Sequence, residues 1–312
     1  MYWRRGNRPE AVTLKVRLSN PHAATRPPRR AAYALPTLFT AGNLFLGFIA
    51  ILRALQAAVH GASGQFGPSE DLAFAAKAIG IAVALDGLDG RIARMTNTVS
   101  DFGREMDSLA DVITFGVAPA VLAYVWGVQF IAAGGLVPDH RVGYFLCFLF
   151  LLCGSVRLAR FNVQTNPVPK NPGRLGRKYF VGLPIPAAAG MVAAVVYACD
   201  SDPLRWWAYA VPWLALLALL SFLMVSTWRY PSFKEIHFSG PRSPLIVIFF
   251  GALITLIWIY PQPVLLIMAV AYVSSGMLLR AGGIIRRRFR HSPARTPAPT
   301  SDQHPRPEQQ VG

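Results

Sequence analysis

Long apolar runs recur along almost the whole of this chain and restrict it to a membrane-embedded helical fold. About eight runs reach the length of roughly 18 residues or more that a helix needs to cross a bilayer. They cover approximately residues 34–53, 73–93, 107–131, 143–162, 179–199, 206–226, 243–260 and 262–280. Hydrophobic residues make up 53% of the 312 positions, more than a soluble chain of this size carries. Because backbone groups in lipid must bond within their own segment, the sequence predicts an all-α, polytopic bundle of about eight transmembrane helices.

Basic residues are distributed unevenly between the two sides of this predicted bundle. With the amino terminus in the cytoplasm, only four of the 31 Lys and Arg residues fall on the outer side. These are Arg53, Lys77, Arg141 and Arg205. Positive charge is retained on the cytoplasmic side during insertion, so both termini are expected inside, in the inner membrane of the cell. The first 30 residues are basic and lack a short apolar core, so no cleavable signal peptide is expected.

Four aspartates stand at the predicted cytoplasmic ends of the second and third apolar runs, in a chain with only 15 acidic residues. Asp86 and Asp89 are three residues apart, and Asp107 and Asp111 are four apart, so each pair occupies one helix face. The polar segment 95–102 indicates a short turn that joins two antiparallel helices. Carboxylates gathered at a membrane surface repel one another unless a cation binds them. The spacing therefore predicts an oxygen-rich site for a hard divalent cation, Mg²⁺ or Mn²⁺.

Two glycines, an alanine and an arginine complete a pattern with these aspartates. The full pattern is Asp86-x2-Asp89-Gly90-x2-Ala93-Arg94-x8-Gly103-x3-Asp107-x3-Asp111. Gly103 lies one helical turn before Asp107, where a missing side chain allows a helix or a ligand to approach closely. The pattern resembles, position for position, the signature of the CDP-alcohol phosphatidyltransferases. Members of that family are integral membrane enzymes that displace CMP from a CDP-linked lipid or alcohol.

The resemblance implies a role for each residue of the pattern. It implies that Asp86, Asp89 and Asp107 bind a pair of divalent metal ions. It implies that Asp111 completes the metal site and serves as the base toward the acceptor hydroxyl. The CDP pocket would then include Gly90, Arg94 and Gly103. Two polar residues near the inner end of the first run, Thr40 and Asn43, are assigned to the same donor pocket, with interhelical hydrogen bonds as the alternative.

A second cluster lies at the end of the fourth apolar run, where the sequence reads Arg157-Leu158-Ala159-Arg160-Phe161-Asn162. Arg157 and Arg160 are about one helical turn apart and fall on the same membrane side as the aspartates. Arginine binds carboxylate or phosphate through two parallel hydrogen bonds, so the cluster is predicted to bind a ligand. Ordinary cytoplasmic charge at a helix end is the alternative, and it would also explain the basic residues that precede Lys178.

Several segments narrow the resemblance within the family. The run 157–162 and the segments 35–44, 182–186 and 226–234 look like those of bacterial and archaeal membrane-embedded phosphatidylserine synthases. This implies transfer of a phosphatidyl group from CDP-diacylglycerol to L-serine, with phosphatidylserine and CMP as products. It also implies that Arg157 or Arg160 binds the serine carboxylate, with Asn162 or Lys178 assisting. The family commonly forms homodimers, so a homodimer is expected.

Other functions are left open or disfavoured by the sequence. The acceptor could instead be glycerol phosphate, inositol phosphate or choline, because the aspartate pattern does not distinguish among them. An ion-coupled transporter would place its charges near the bilayer centre and show a repeated half, and no internal repeat is found. The net charge of +16 is spread over every inner loop, which disfavours nucleic acid and favours anionic lipid headgroups.

The predicted organisation has four parts. A basic arm (1–33) precedes the membrane core (34–240), two further transmembrane helices follow (241–282), and a basic tail (283–312) is expected to be disordered.

Overall fold

The computed structural model describes residues 30–64, 67, 69–96, 101–131, 140–165, 179–231 and 244–290. The predicted amino-terminal arm up to residue 29 and the tail from residue 291 lie outside this part of the chain.

The described chain is almost entirely helical, as the apolar runs predict. The helices are α1 Arg30–Ala62, α2 Glu70–Thr96, α3 Asp101–Asp111, α4 Ala118–Gly127, α5 His140–Thr165, α6 Ile185–Ala198, α7 Trp207–Val225, α8 Pro244–Ile259 and α9 Pro261–Arg290. A π-helical turn, Val112–Val117, joins α3 to α4 without a break. Two short antiparallel strands, β1 Tyr179–Val181 and β2 Arg229–Pro231, pair with Phe180 opposite Tyr230. The all-α fold class is therefore confirmed, with one helical segment for each predicted run.

Five of the described helical segments are long and apolar enough to cross a membrane. They are Leu38–Ala62, Phe102–Gly127, His140–Val163, Trp207–Val225 and Pro261–Leu278. A sixth apolar helix, Ile185–Ala198, has only 14 residues. The chain is thus a helical membrane protein, while the total of eight spans and their orientation stay predictions.

The start of the fifth predicted run is corrected by the structure. That run was expected to be helical from residue 179, but residues 179–181 form β1 and α6 begins only at Ile185. Gly182 turns the chain between them with a φ of +80°, a conformation that a side chain disfavours. A Cβ at Gly182 would also lie 2.6 Å from the carbonyl oxygen of Met224. Pro184 then stands as the N-cap of α6, and Pro186 lies in its first turn, where a missing N–H costs nothing.

Small residues allow the central helices to pack closely. Along α1, Ala50, Ala54 and Ala57 are almost completely buried. Helix α2 also has buried alanines, on both sides of Ile79 in the sequence. Faces made of small side chains let helix backbones approach closely, and the resulting van der Waals packing is a main source of attraction between helices in lipid. The buried core continues through α4, α6 and α7, where the indole N–H of Trp213 donates to the carbonyl of Ala123 at 3.2 Å.

The end of α1, the start of α2 and the segment just before α7 carry residues that the charge distribution assigns to the outer side. Arg53 forms an ion pair with Asp71 at 2.9 Å, and Lys77 lies 5.2 Å from the ring centroid of Tyr197. Arg205 lies 3.5 Å from a carboxylate oxygen of Asp202. These cations therefore have local partners.

Candidate metal and acceptor site

Three of the four predicted aspartates come together in the structure. Asp86 lies on α2, and Asp107 and Asp111 lie one turn apart on α3. One carboxylate oxygen from each falls within 4.8 Å of the other two, and we refer to this group as the carboxylate site. Asp111 is buried, with 8% of its surface exposed, and the other two are half-buried. Oxygen donors at this spacing, partly withdrawn from water, are a ligand set that could hold a hard divalent cation.

The remaining residues of the aspartate pattern lie on the same two helices. Asp89, Gly90 and Arg94 belong to the last turns of α2, directly after Asp86, but their side chains lie outside the described residues. Gly103 is half-buried on α3, one turn before Asp107. Helix α2 extends to Thr96 and α3 begins at Asp101, so both helices reach into the segment 95–102 that was predicted as a turn, and residues 97–100 lie outside the described part of the chain. The assignment of these residues to a CDP pocket stays a prediction.

The π-helical turn begins directly after Asp111. The N–H of Ala118 bonds to the carbonyl of Ile113, five residues earlier. One extra residue in a turn rotates the helix before it relative to the helix after it, and such turns are frequent at functional sites. In this chain it lets Asp111 belong to the carboxylate site while Thr114 and Phe115 are buried against neighbouring helices. Periodicity alone does not predict this turn.

Helix α1 is held against the π-helical turn by a close backbone approach. The hydroxyl of Thr114 donates to the carbonyl oxygen of Asn43 at 3.1 Å. A Cβ at Gly47, one turn further along α1, would lie 2.5 Å from the Thr114 hydroxyl and 2.8 Å from its Cα. Only glycine permits this distance. The contact places the face of α1 that carries Thr40 and Asn43 beside the helix that bears Asp107 and Asp111.

The two polar residues predicted near the inner end of α1 are both buried. Thr40 is 4% exposed and Asn43 is 3% exposed. Asn43 bonds to Thr114 through its backbone carbonyl, whereas its side-chain oxygen is buried with no hydrogen-bond partner among the described residues. A buried amide oxygen without a donor costs free energy unless a ligand or water supplies one. This observation favours the donor-pocket interpretation of Asn43 over an interhelical hydrogen bond.

The second predicted cluster lies next to the carboxylate site. Arg157, Arg160 and Asn162, which the sequence predicts to bind the acceptor, are all on α5, and we call them the acceptor cluster. The amide of Asn162 donates to the hydroxyl of Ser108 at 2.7 Å, and Ser108 stands between Asp107 and Asp111 on α3. The Ser108 hydroxyl in turn donates to the carbonyl of Arg104 at 3.0 Å. This chain of hydrogen bonds ties the end of α5 to the helix that carries two of the aspartates.

The two arginines of the acceptor cluster differ in their surroundings. Arg157 is half-buried, and its Nε is buried without a hydrogen-bond partner among the described residues. Arg160 is exposed. The buried N–H of Arg157 is available to donate to an anionic group near the carboxylate site. The exposed guanidinium of Arg160 is not held in place by surrounding protein. Lys178, the remaining predicted member, lies outside the described residues.

Sequence reasoning did not identify Ser108, whose hydroxyl accepts from the amide of Asn162. Ser108 carries a weak signal, since it is a polar residue inside the aspartate pattern and directly follows Asp107.

Comparison with known proteins identifies the family that this chain resembles. The family model for CDP-alcohol phosphatidyltransferase matches residues 33–221. A CDP-diacylglycerol–serine O-phosphatidyltransferase of Helicobacter pylori is 36% identical over 252 residues, which are 80% of this chain and 92% of the relative. The Bacillus subtilis protein of the same name is 33% identical over 210 residues, 64% of this chain and 92% of that protein. The archaetidylserine synthase of Methanothermobacter thermautotrophicus is 34% identical over 200 residues, 64% of this chain and 70% of its own.

Proposed function

The chain belongs to the CDP-alcohol phosphatidyltransferase family, and we propose that it transfers the phosphatidyl group of CDP-diacylglycerol to L-serine. The products would be phosphatidylserine and CMP. One observation carries the proposal: the carboxylate site on α2 and α3 is tied by hydrogen bonds to an arginine- and asparagine-bearing turn of α5. The names of the Helicobacter and Bacillus relatives support serine as the acceptor.

The donor side of the site is formed by α1, α2 and α3. Asp86, Asp89, Asp107 and Asp111 would hold two divalent ions, Mg²⁺ or Mn²⁺. When bound, such ions supply Lewis-acid polarisation of the diphosphate and neutralise its charge. Arg94 adds a positive charge toward the diphosphate, and Gly90 and Gly103 leave room for the CDP moiety. On the side of α1, Thr40 and the unpartnered amide oxygen of Asn43 bind polar groups of CDP-diacylglycerol.

The acceptor side is formed by α5. Arg157 binds the carboxylate of serine through its guanidinium, which orients the hydroxyl toward the phosphatidyl phosphorus. The serine oxygen forms the new bond to phosphorus as the bond to the CMP oxygen breaks. Asp111 receives the hydroxyl hydrogen bond and takes the proton during attack. Cations bound beside Asp111 would make its carboxylate a weaker base, so orienting the hydroxyl is a large part of its role.

The remaining partners follow from where serine and CMP must enter and leave. Both are water-soluble, so we place the site at the cytoplasmic face of the inner membrane, which is the side that the basic loops favour. The basic arms at both ends of the chain would contact anionic lipid headgroups. A homodimer is proposed from the family resemblance.

Serine-dependent release of CMP tests this function. Purified protein is incubated with CDP-diacylglycerol, Mn²⁺ and L-serine, and both CMP and phosphatidylserine are measured. The variant Asp107→Asn should lose almost all turnover because it removes a cation-binding charge. Glu105→Gln is the matched control, since Glu105 is an exposed acid on the same helix. EDTA should abolish the wild-type activity. Full turnover in EDTA, or in Asp107→Asn, would contradict the metal-dependent reaction.

A further inference from the structure

We propose that Asn162 is a positioning residue for the metal-binding helix α3, and that it is not a ligand of the acceptor. This inference rests on the metal-dependent reaction proposed above, and it gives a different task to a residue that the sequence assigns to serine. It starts from a hydrogen bond between two helices. The amide nitrogen of Asn162 on α5 donates to the hydroxyl of Ser108 on α3 at 2.7 Å.

The hydroxyl of Ser108 fixes the direction of this hydrogen bond. It has a single hydrogen, which it donates to the carbonyl oxygen of Arg104 at 3.0 Å, one turn earlier on α3. Toward Asn162 the hydroxyl can therefore only accept, so Asn162 must turn its NH₂ group toward Ser108 and not its amide oxygen. Two consecutive hydrogen bonds thus connect a side chain of α5 to the backbone of α3.

Helix α3 depends on such a bond because few of its side chains are buried. From Phe102 to Leu109 the side chains are half-buried or exposed, and only Ala110 and Asp111 at the end of the helix are buried. A helical segment with few buried contacts opens at a low cost in free energy. A hydrogen bond to a neighbouring helix therefore contributes much of what keeps Asp107 directed toward the carboxylate site.

The position of Ser108 lets it transmit this restraint to the carboxylates. Ser108 directly follows Asp107 and precedes Asp111 by three residues, so Ser108 and Asp111 lie on one helix face. Residues that bond directly to metal ligands and orient them change metal affinity by about 10- to 100-fold when they are replaced. Asn162 acts through Ser108 and the backbone of α3, so we expect a smaller effect.

Direct binding of Mn²⁺ in the absence of serine tests this role, with free Mn²⁺ measured by electron paramagnetic resonance. Asn162→Leu and Ser108→Ala each remove one partner of the bond, and each should raise the Kd for Mn²⁺ about fivefold, as expected for loss of one hydrogen bond. Ser108→Thr keeps the hydroxyl and should bind Mn²⁺ like the wild type.

Ser155→Ala is the matched control. The Ser155 hydroxyl also donates to a carbonyl oxygen one turn earlier in its helix, that of Leu151 at 2.9 Å, but it makes no hydrogen bond to a second helix among the described residues. Its replacement should leave the affinity for Mn²⁺ unchanged.

Three further measurements separate positioning from ligand binding and from general stability. The double variant Asn162→Leu, Ser108→Ala should bind Mn²⁺ as either single variant does, because both changes remove the same bond. The Michaelis constant for serine at saturating Mn²⁺ should change less than about twofold in each single variant. The melting temperature in EDTA should match that of Ser155→Ala.

Two results would overturn the inference and leave the proposed function intact. A raised Michaelis constant for serine with unchanged affinity for Mn²⁺ would return Asn162 to the acceptor. A lowered melting temperature in EDTA with unchanged affinity for Mn²⁺ would reduce its role to stability. A wild-type protein that binds Mn²⁺ but forms no phosphatidylserine would overturn the acceptor assignment alone, and one that binds no Mn²⁺ would overturn the metal-dependent reaction and this inference together.

Discussion

The close approach of α1 to the π-helical turn makes Gly47 a sensitive position. In Gly47→Ala the new methyl group would lie 2.5 Å from the hydroxyl and 2.8 Å from the Cα of Thr114. A backbone atom is involved, so rotation of a side chain does not relieve the overlap. Helix α1 must move away from residues 112–117, and the hydrogen bond from Thr114 to the carbonyl of Asn43 is strained or lost.

The expected loss of stability combines three contributions. Overpacking of a close helix contact costs about 1–3 kcal/mol. Loss of one buried hydrogen bond costs about 0.5–1.5 kcal/mol. Replacement of glycine by alanine within a helix returns about 1 kcal/mol. We therefore expect a net destabilisation of about 1–3 kcal/mol. Because Asp111 directly precedes the displaced turn, kcat should also fall, by about tenfold to a hundredfold for a displacement near 1 Å.

Unfolding in mixed micelles and CMP release measure the two effects on the same preparation. Gly80→Ala is the matched control, because Gly80 is an exposed glycine in the middle of α2, and a methyl group added there would have no neighbouring atom within 4 Å. It should be neutral or stabilising by about 1 kcal/mol, with full activity. If Gly47→Ala matches Gly80→Ala in both measurements, the close contact of α1 with the π-helical turn does not hold Asp111 in place.

Four further substitutions separate the two halves of the site. Arg157→Ala should raise the Michaelis constant for serine about 30- to 150-fold, because a charge-assisted hydrogen bond in a partly desolvated site contributes about 2–3 kcal/mol. Arg160 is exposed, so Arg160→Ala should change the same constant less than about threefold. Equal effects of the two substitutions would contradict the assignment of serine binding to Arg157 rather than Arg160. Ser108→Ala should lower kcat about fivefold, because the amide of Asn162 loses the partner that ties α5 to α3, and unchanged steady-state kinetics would refute that link. Arg94→Ala should raise the constant for CDP-diacylglycerol and leave that for serine unchanged, which separate titration of each substrate checks.

The sequence was sufficient to predict the helical membrane fold and the approach of the aspartates. Membrane-length apolar runs leave the backbone little choice but helix, so each run corresponds to a helical segment. The offsets of three and four residues place each aspartate pair on one face, and a short turn brings the two faces together. Three of those carboxylates indeed lie within 4.8 Å of one another.

Features that depend on contacts between distant segments could not be predicted in this way. The π-helical turn after Asp111 and the strand pair that delays α6 until Ile185 both depend on tertiary packing. Arg157 and Arg160 have the same residue type and nearly the same depth along α5, and only their neighbours make one half-buried and the other exposed. The packing of α9 on β2 through Tyr230 and Gly276 joins segments that are distant in the sequence, a contact that no local pattern encodes.

A comparison of acceptors tests the central claim most directly. Purified protein with CDP-diacylglycerol and Mn²⁺ is given L-serine, ethanolamine or glycerol 3-phosphate at equal concentrations, and the lipid products are identified by mass spectrometry. We expect phosphatidylserine as the main product. Ethanolamine should react poorly, because it lacks the carboxylate and would leave the buried Nε side of Arg157 unpaired. Efficient lipid formation from glycerol 3-phosphate, with none from serine, would contradict the assignment.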